Sequence, residues 1–312
     1  MGVGMPPQLV DLITAQDLQD SWNWLVDYID IRPTVPGISC YFDNKSWRDD
    51  PLLPEFEEEF PRMCLMLGQL YIGSQFGESR NLIEMVHGRA AQTVHLAAGN
   101  LDHDVEAVLL SVPRFRNHLS EHLSFWMRLA VEKKQRGAGY QPPQIEFSHS
   151  RPNIQPEDKG PDGLYIEVAP QYRLEIQSVK NSIGNPKALI ASAGFRKNAT
   201  PTRKKLLDDL WLLRHKHDGL LRLEVLLDQT LDILDVDTTK QLRLGLIAGS
   251  SCNAVVVANT QFANENLFAG YEHITPEIEQ RVATFLGAIN WRSLAAETHN
   301  CVKQILRRGG FL

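Results

Sequence analysis

Asp162, Glu175 and Gln177 stand close enough in the chain for one hairpin to bring their side chains together. Two of them are carboxylates, hard oxygen donors of the kind that hold a small divalent cation which keeps part of its water shell. Gln177 carries a neutral amide that both donates and accepts, suited to orienting a water but not to taking its proton. Leu164, Tyr165, Ile166 and Val168 predict a strand over 164–168. Tyr172, Leu174, Ile176 and Val179 predict the returning strand over 172–179, with Ala169-Pro170-Gln171 as the turn. So short a turn pairs position 163 or 164 with position 177, which brings Asp162 beside Gln177. Side chains alternate along a strand, so Glu175 and Gln177 share one face while Leu174 and Ile176 share the other. The same alternation turns Lys180 to the opposite face unless the strand bends or ends at Val179.

An Asp at the open end of a hairpin, Pro161-Asp162, followed by Glu175-Ile176-Gln177 on the returning strand resembles the PD-(D/E)xK nuclease superfamily, over about residues 144–225. That family's usual third element is Glu-x-Lys. Here Gln177 stands at the lysine position, a Glu-x-Gln variant similar to that of some restriction endonucleases, and Lys180 follows. The resemblance implies an α/β, restriction-endonuclease-like core, a mixed sheet flanked by helices. It implies a DNA endonuclease that hydrolyses phosphodiester bonds with Mg²⁺ or Mn²⁺, in bacterial restriction or anti-phage defence. Asp162 and Glu175 are the implied metal ligands, with Gln177 or Lys180 as the third catalytic residue; the metal acidifies the attacking water and neutralises charge on the phosphate. A helix just before the sheet of such a core often carries a supporting acid, which makes Glu121 a further metal candidate and Glu84 a lesser one.

The elements that must position these residues follow from periodicity. Residues 8–31 predict two short helices, the second capped by Thr14, and 38–42 a short strand. Helical spacing recurs over 63–72 and 81–98, with an acidic run, 48–59, read as a solvated face or loop. A long helix is expected over 104–134, interrupted near Pro113, and then a first core strand over 144–148. Thr200-Pro201 predicts a helix start, Leu220–Leu227 and 253–260 predict strands, and 276–289 and 291–306 predict helices. The expected organisation is a mainly helical region over 1–110 and the nuclease-like core with C-terminal helices over 111–312.

Two other sets of residues carry chemistry. Arg196, Lys197, Arg203, Lys204 and Lys205 form a basic cluster at the predicted helix start, where cations oppose the helix dipole and a DNA phosphate would relieve them. His118-Leu119-Ser120-Glu121-His122 matches the His-x-x-Glu-His pattern of inverted zinc peptidases, with two histidines on one helical face and Glu121 as base, but without an identifiable third ligand.

The whole-chain properties bound these readings. With 312 residues, 43% hydrophobic and 22% charged, the chain has the composition of a globular protein with ample core. A net charge of −6 excludes a generally basic surface, so double-stranded DNA must be met by a local patch. Four scattered cysteines signal neither a zinc ribbon nor a disulfide framework. No signal peptide or membrane-length apolar run stands out, and a cytoplasmic protein is expected. So acidic a chain with one basic cluster is expected to work as a homodimer or beside a helicase or methyltransferase subunit. The rival reading is a non-catalytic interaction subunit in which Gln177 marks a decayed site.

Overall fold

The computed structural model describes residues 9–33, 38–41, 54–76, 94–97, 109–136, 145–149, 162–167, 173–192, 251–263, 267–268 and 280–312. Its centre is a seven-stranded mixed sheet in the order β2-β3-β9-β8-β7-β6-β5, made from β2 (Asp30–Pro33), β3 (Ile38–Tyr41), β5 (Ile145–His149), β6 (Gly163–Glu167), β7 (Arg173–Asn181), β8 (Ser251–Asn259) and β9 (Gln280–Ala288). Strands β3, β9, β8 and β7 run parallel; β2 flanks them antiparallel at one edge, and β6 and β5 form an antiparallel meander at the other. The helices are α1 (Ala15–Tyr28), α2 (Pro54–Phe76), α3 (Val112–Arg136), the short α4 (Lys187–Ala191) and α5 (Trp291–Arg308). A separate antiparallel pair joins β1 (Leu9–Ile13) to β4 (Val94–Ala97). The class is therefore α/β with a mixed sheet and flanking helices.

Alternation along β7 and β8 sorts the two faces. Val179, Val255, Val257, Leu286 and Ala288 belong to the large core that also holds Trp22, Tyr71, Trp126 and Trp291. Ala254, Val256, Ala258, Ala283 and Phe285 belong to a smaller core on the opposite face, with Ile190 of α4. Helix α3 lies on the large-core side and is buried on most of its circumference, for the sheet is on one flank and α1, α2 and α5 are on the other. Pro113 stands in its first turn, where a missing N–H costs nothing, so it opens the helix instead of interrupting it. β2 and β3 belong to the same sheet as β5 to β9, and the large core includes residues from Ile13 to Leu306.

Three segments differ from their predicted type. Residues 9–13 form β1 and not a first short helix, because they pair with β4; the expected helix over 81–98 likewise holds a strand at Val94–Ala97. Thr14 does cap α1, through a reciprocal capping box with Asp17. The stretch expected as a helix over 276–289 holds strand β9, sandwiched between β8 and β3. A strand buried on both faces is apolar throughout, so its sequence carries no period of two. The acidic run continues as the first turns of α2, where Glu59 accepts from Tyr28 Oη at 3.4 Å.

Candidate active site at the end of the β6–β7 ladder

The predicted hairpin is present: Gly163 pairs with Gln177, Leu164 with Ile176 and Tyr165 with Glu175. Asp162 is the residue just before that ladder begins. Past Gln177, strand β7 has no β6 residue beside it, and the Val179 N–H is instead taken by the Asp162 carboxylate, with N to Oδ2 at 2.6 Å. The side chain thus serves as the acceptor for this backbone N–H. Lys180 Nζ lies 3.9 Å from the same Oδ2, with side-chain exposures of 34% for Lys180 and 19% for Asp162. Lys180 alternates onto the face opposite Val179, yet its long stem lets the ammonium reach Asp162.

Helix α3 delivers the third group. Its sheet-facing stripe is polar, with Asn117, Ser120, Glu121 and Ser124 at helical spacing, and it crosses β7 from residue 181 towards 177. Asn181 Nδ2 donates to Asn117 Oδ1 at 2.9 Å, and Ser124 Oγ donates to Gln177 Oε1 at 2.6 Å. Glu121 lies between these contacts. Its Oε2 is shut off from solvent and has no hydrogen-bond partner among the described residues. Burial first, and then the negative charge of Asp162, raise the Glu121 carboxyl well above the ordinary carboxylate range, while Lys180 pulls it back down. Two carboxylates and one ammonium therefore lie together where β6 begins, and both acids ionise at a cost unless a further cation enters.

The other predicted residues sit elsewhere or outside what is described. Gln177, at 2% exposure, is locked to Ser124, at 3%, in the packed layer between α3 and β7. Glu175 pairs with Tyr165 on one side and Ser251 on the other; its side chain lies outside the described residues, as do Glu84 and the basic cluster Arg196, Lys197, Arg203, Lys204 and Lys205. Among the described residues no three His, Cys, Asp or Glu side chains gather as a metal cluster. The oxygen pair of Glu121 and Asp162 still fits Mg²⁺, which is held by one or two carboxylates and completes its octahedron with water. The stranded Glu121 oxygen is the feature such an ion would satisfy.

The His-x-x-Glu-His pattern comes apart in space. His118 Nδ1 and Tyr71 Oη are hydrogen-bonded at 2.6 Å, and His122 packs edge-on to His118 and Tyr71 and against Trp126. Both imidazoles are buried in the large core, and burial, then the neighbouring His118, push His122 well below its usual value, so it is neutral. Glu121 projects towards Asp162 instead. The contacts that sequence reasoning missed are Ser124 to Gln177 and Arg116 Nε to Asn181 Oδ1, at 3.1 Å. Their signal was present as polar residues, Arg116, Asn117, Ser120 and Ser124, among the apolar positions Phe115, Leu119, Leu123 and Phe125 of the same helix.

No protein-family model, no curated protein and no solved structure matches this chain. Among the described residues, no helix is long and apolar enough to cross a membrane.

Proposed function

We propose that this protein is a divalent-metal-dependent nuclease with a restriction-endonuclease-like core, which hydrolyses phosphodiester bonds of double-stranded DNA. The observation that carries the reading is the buried, unpartnered Glu121 Oε2 beside Asp162 and Lys180. A carboxylate pair that repels itself, at the end of a strand and next to an ammonium, suits a site that gathers a metal, a water and a phosphate. Asp162 and Glu121 would hold Mg²⁺ or Mn²⁺, and Glu175 remains a proposed further ligand. When bound, the ion supplies Lewis acidity: it lowers the pKa of an attacking water and neutralises charge on the phosphate. The Lys180 ammonium beside Asp162 faces the negative charge that builds on the phosphate oxygens. Gln177 in this reading is a packing residue that ties β7 to α3 through Ser124 and contributes stability, not a step of the reaction. Strand and helix are both rigid elements, which favours precise placement of the three charged groups.

The testing experiment incubates the purified chain with plasmid and Mg²⁺ or Mn²⁺, alone and with candidate helicase, methyltransferase or second-copy partners. Metal-dependent nicking that disappears in Asp162→Asn and Glu121→Gln supports the reading. Absence of cleavage with every metal and partner overturns it in favour of a non-catalytic interaction subunit, and activity that follows bound zinc overturns it in favour of a peptidase-type centre.

A further inference from the structure

Helix α3 is tied to β7 by hydrogen bonds at two places. One is the single bond from Ser124 to Gln177. The other is the side chain of Asn181, which follows Lys180 at the end of β7. Its amide engages the helix through the nitrogen and the oxygen alike: Nδ2 donates to Asn117 Oδ1 at 2.9 Å and to Ser120 Oγ at 3.3 Å, and Oδ1 accepts from Arg116 Nε at 3.1 Å. The donor directions agree, because Ser120 gives its own hydrogen to the Asn117 carbonyl at 2.6 Å and so meets Asn181 as an acceptor. Aspartate would have the shape of this amide without its donors, and leucine the shape without polar atoms.

The strand holds Asn181 firmly from its other side. Asn181 pairs with Val257 in the β7–β8 ladder, and the Ser182 N–H donates to the Val257 carbonyl at 2.9 Å. The clasp is therefore anchored on the parallel sheet and not on a loop. What it holds adjoins the charged groups on both elements: Ser120 immediately precedes Glu121, and Lys180, which immediately precedes Asn181, lies 3.9 Å from Asp162. Glu121 and Asp162 repel when both are ionised, which drives α3 away from β7. Bonds to residues 116, 117 and 120 resist that separation at the turn that leads into Glu121.

We propose that Asn181 is a positioning residue: by clasping α3 it fixes the reach of Glu121 to Asp162 and presets their oxygens for a divalent cation. That the cation serves phosphodiester hydrolysis rests on the nuclease reading; the placement of the two carboxylates does not. Groups that orient metal ligands typically account for about 10–100-fold in metal affinity or activity. Asn181 acts in that way through Ser120, without touching the ion.

The experiment measures Mn²⁺ binding to the full chain by electron paramagnetic resonance, with urea unfolding alongside to give the folded fraction. Asn181→Leu should lower the Mn²⁺ affinity of the folded protein about tenfold or more. Ser124→Ala cuts the other tie between the same two elements; it should lose stability and keep wild-type Mn²⁺ affinity, which tells loss of position from a general loosening of α3. Asn117→Ala, an exposed helix position where alanine is favourable, removes one of the three bonds with the fold intact. It should weaken Mn²⁺ binding by less than Asn181→Leu does, and it decides the matter alone if Asn181→Leu does not fold. In plasmid nicking, the Mn²⁺ concentration that gives half the maximal rate should rise by the same factor as the dissociation constant. Wild-type Mn²⁺ affinity in Asn181→Leu, or in Asn117→Ala where it decides, overturns the inference, and so does a Ser124→Ala that loses as much affinity as Asn181→Leu. A chain whose Mn²⁺ binding depends on Asn181 but which cuts no DNA keeps the inference and overturns the nuclease reading. A wild type that binds no Mn²⁺ overturns the metal site and the inference with it.

Discussion

Ser124→Ala should destabilise the fold while leaving cleavage per folded molecule unchanged. The hydroxyl donates to Gln177 Oε1 at 2.6 Å with both residues almost fully buried, so no water takes its place when it is removed. A buried acceptor left without its donor costs about 1–3 kcal/mol, more than the roughly 1 kcal/mol net worth of the bond itself. Gln177→Leu keeps the volume but strands the Ser124 hydroxyl and loses whatever else the amide touches, so it should cost at least as much. Replacing both by apolar groups removes donor and acceptor together, and the double variant should be less destabilised than the sum of the singles by about 1 kcal/mol or more. Urea unfolding of the four proteins measures that difference, with cleavage rates normalised to the folded fraction. If Ser124→Ala unfolds with wild-type stability, or if Gln177→Leu folds normally and loses cleavage about a hundredfold, Gln177 belongs to the reaction and the packing account of it is wrong.

Three further outcomes follow from the charged and buried groups. The folded protein retains a proton on Glu121 that the unfolded chain has already released above pH 4.5, so stability should decline as pH rises from there towards the raised folded value, by at most about 1.4 kcal/mol per pH unit. Glu121→Gln should lose that decline in EDTA, and Mg²⁺ should raise the melting temperature of the wild type but not of the variant. Asp162→Asn keeps an oxygen for the Val179 N–H and should fold normally without cleaving, whereas Asp162→Ala should lose about 1 kcal/mol as well, read by thermal unfolding. His122 is neutral in the fold, so the unfolded chain takes up a proton first as pH falls through 6.5 and stability should drop below that point; His122→Leu should flatten this acid limb in an unfolding series at pH 4.5–7.

The hairpin was legible because Leu164 to Val168 and Tyr172 to Gln177 each alternate and the turn between them is short, conditions under which register follows from the pattern. The helix before it was legible from its apolar spacing, and so were β3, β8 and α5. β9 was not, because Ala283, Phe285, Leu286 and Ala288 are buried in a parallel strand with both faces covered, which reads like a short buried helix. β1 was not, because five residues acquire strand identity from a partner at Val94–Ala97. At the site, Asp162 was legible as the residue at the hairpin mouth. Its neighbours depend on how α3 crosses β7, which periodicity does not encode: Glu121 is turned inwards, Gln177 is claimed by Ser124, and Lys180 reaches Asp162 although strand parity alone assigns it to the far face.

The pairing of Ile38 with Thr284 has a consequence for how the protein is made. Strands β2 and β3 leave the ribosome long before β9, the strand that connects them to β8 and the rest of the sheet. Until β9 is inserted, the edges of β3 and β8 both present unpaired N–H and C=O groups, a template for pairing with other chains. Strands so distant in sequence pair slowly, because the loop between them must be ordered before any pairing stabilises it. The sheet is thus sealed by the strand that emerges last, and α5, which follows after a single turn, packs onto β8, β9 and α3 as the closing step. Nascent chains stalled before residue 280 should therefore engage chaperones strongly, and release through residue 308 should be the point at which protease resistance appears.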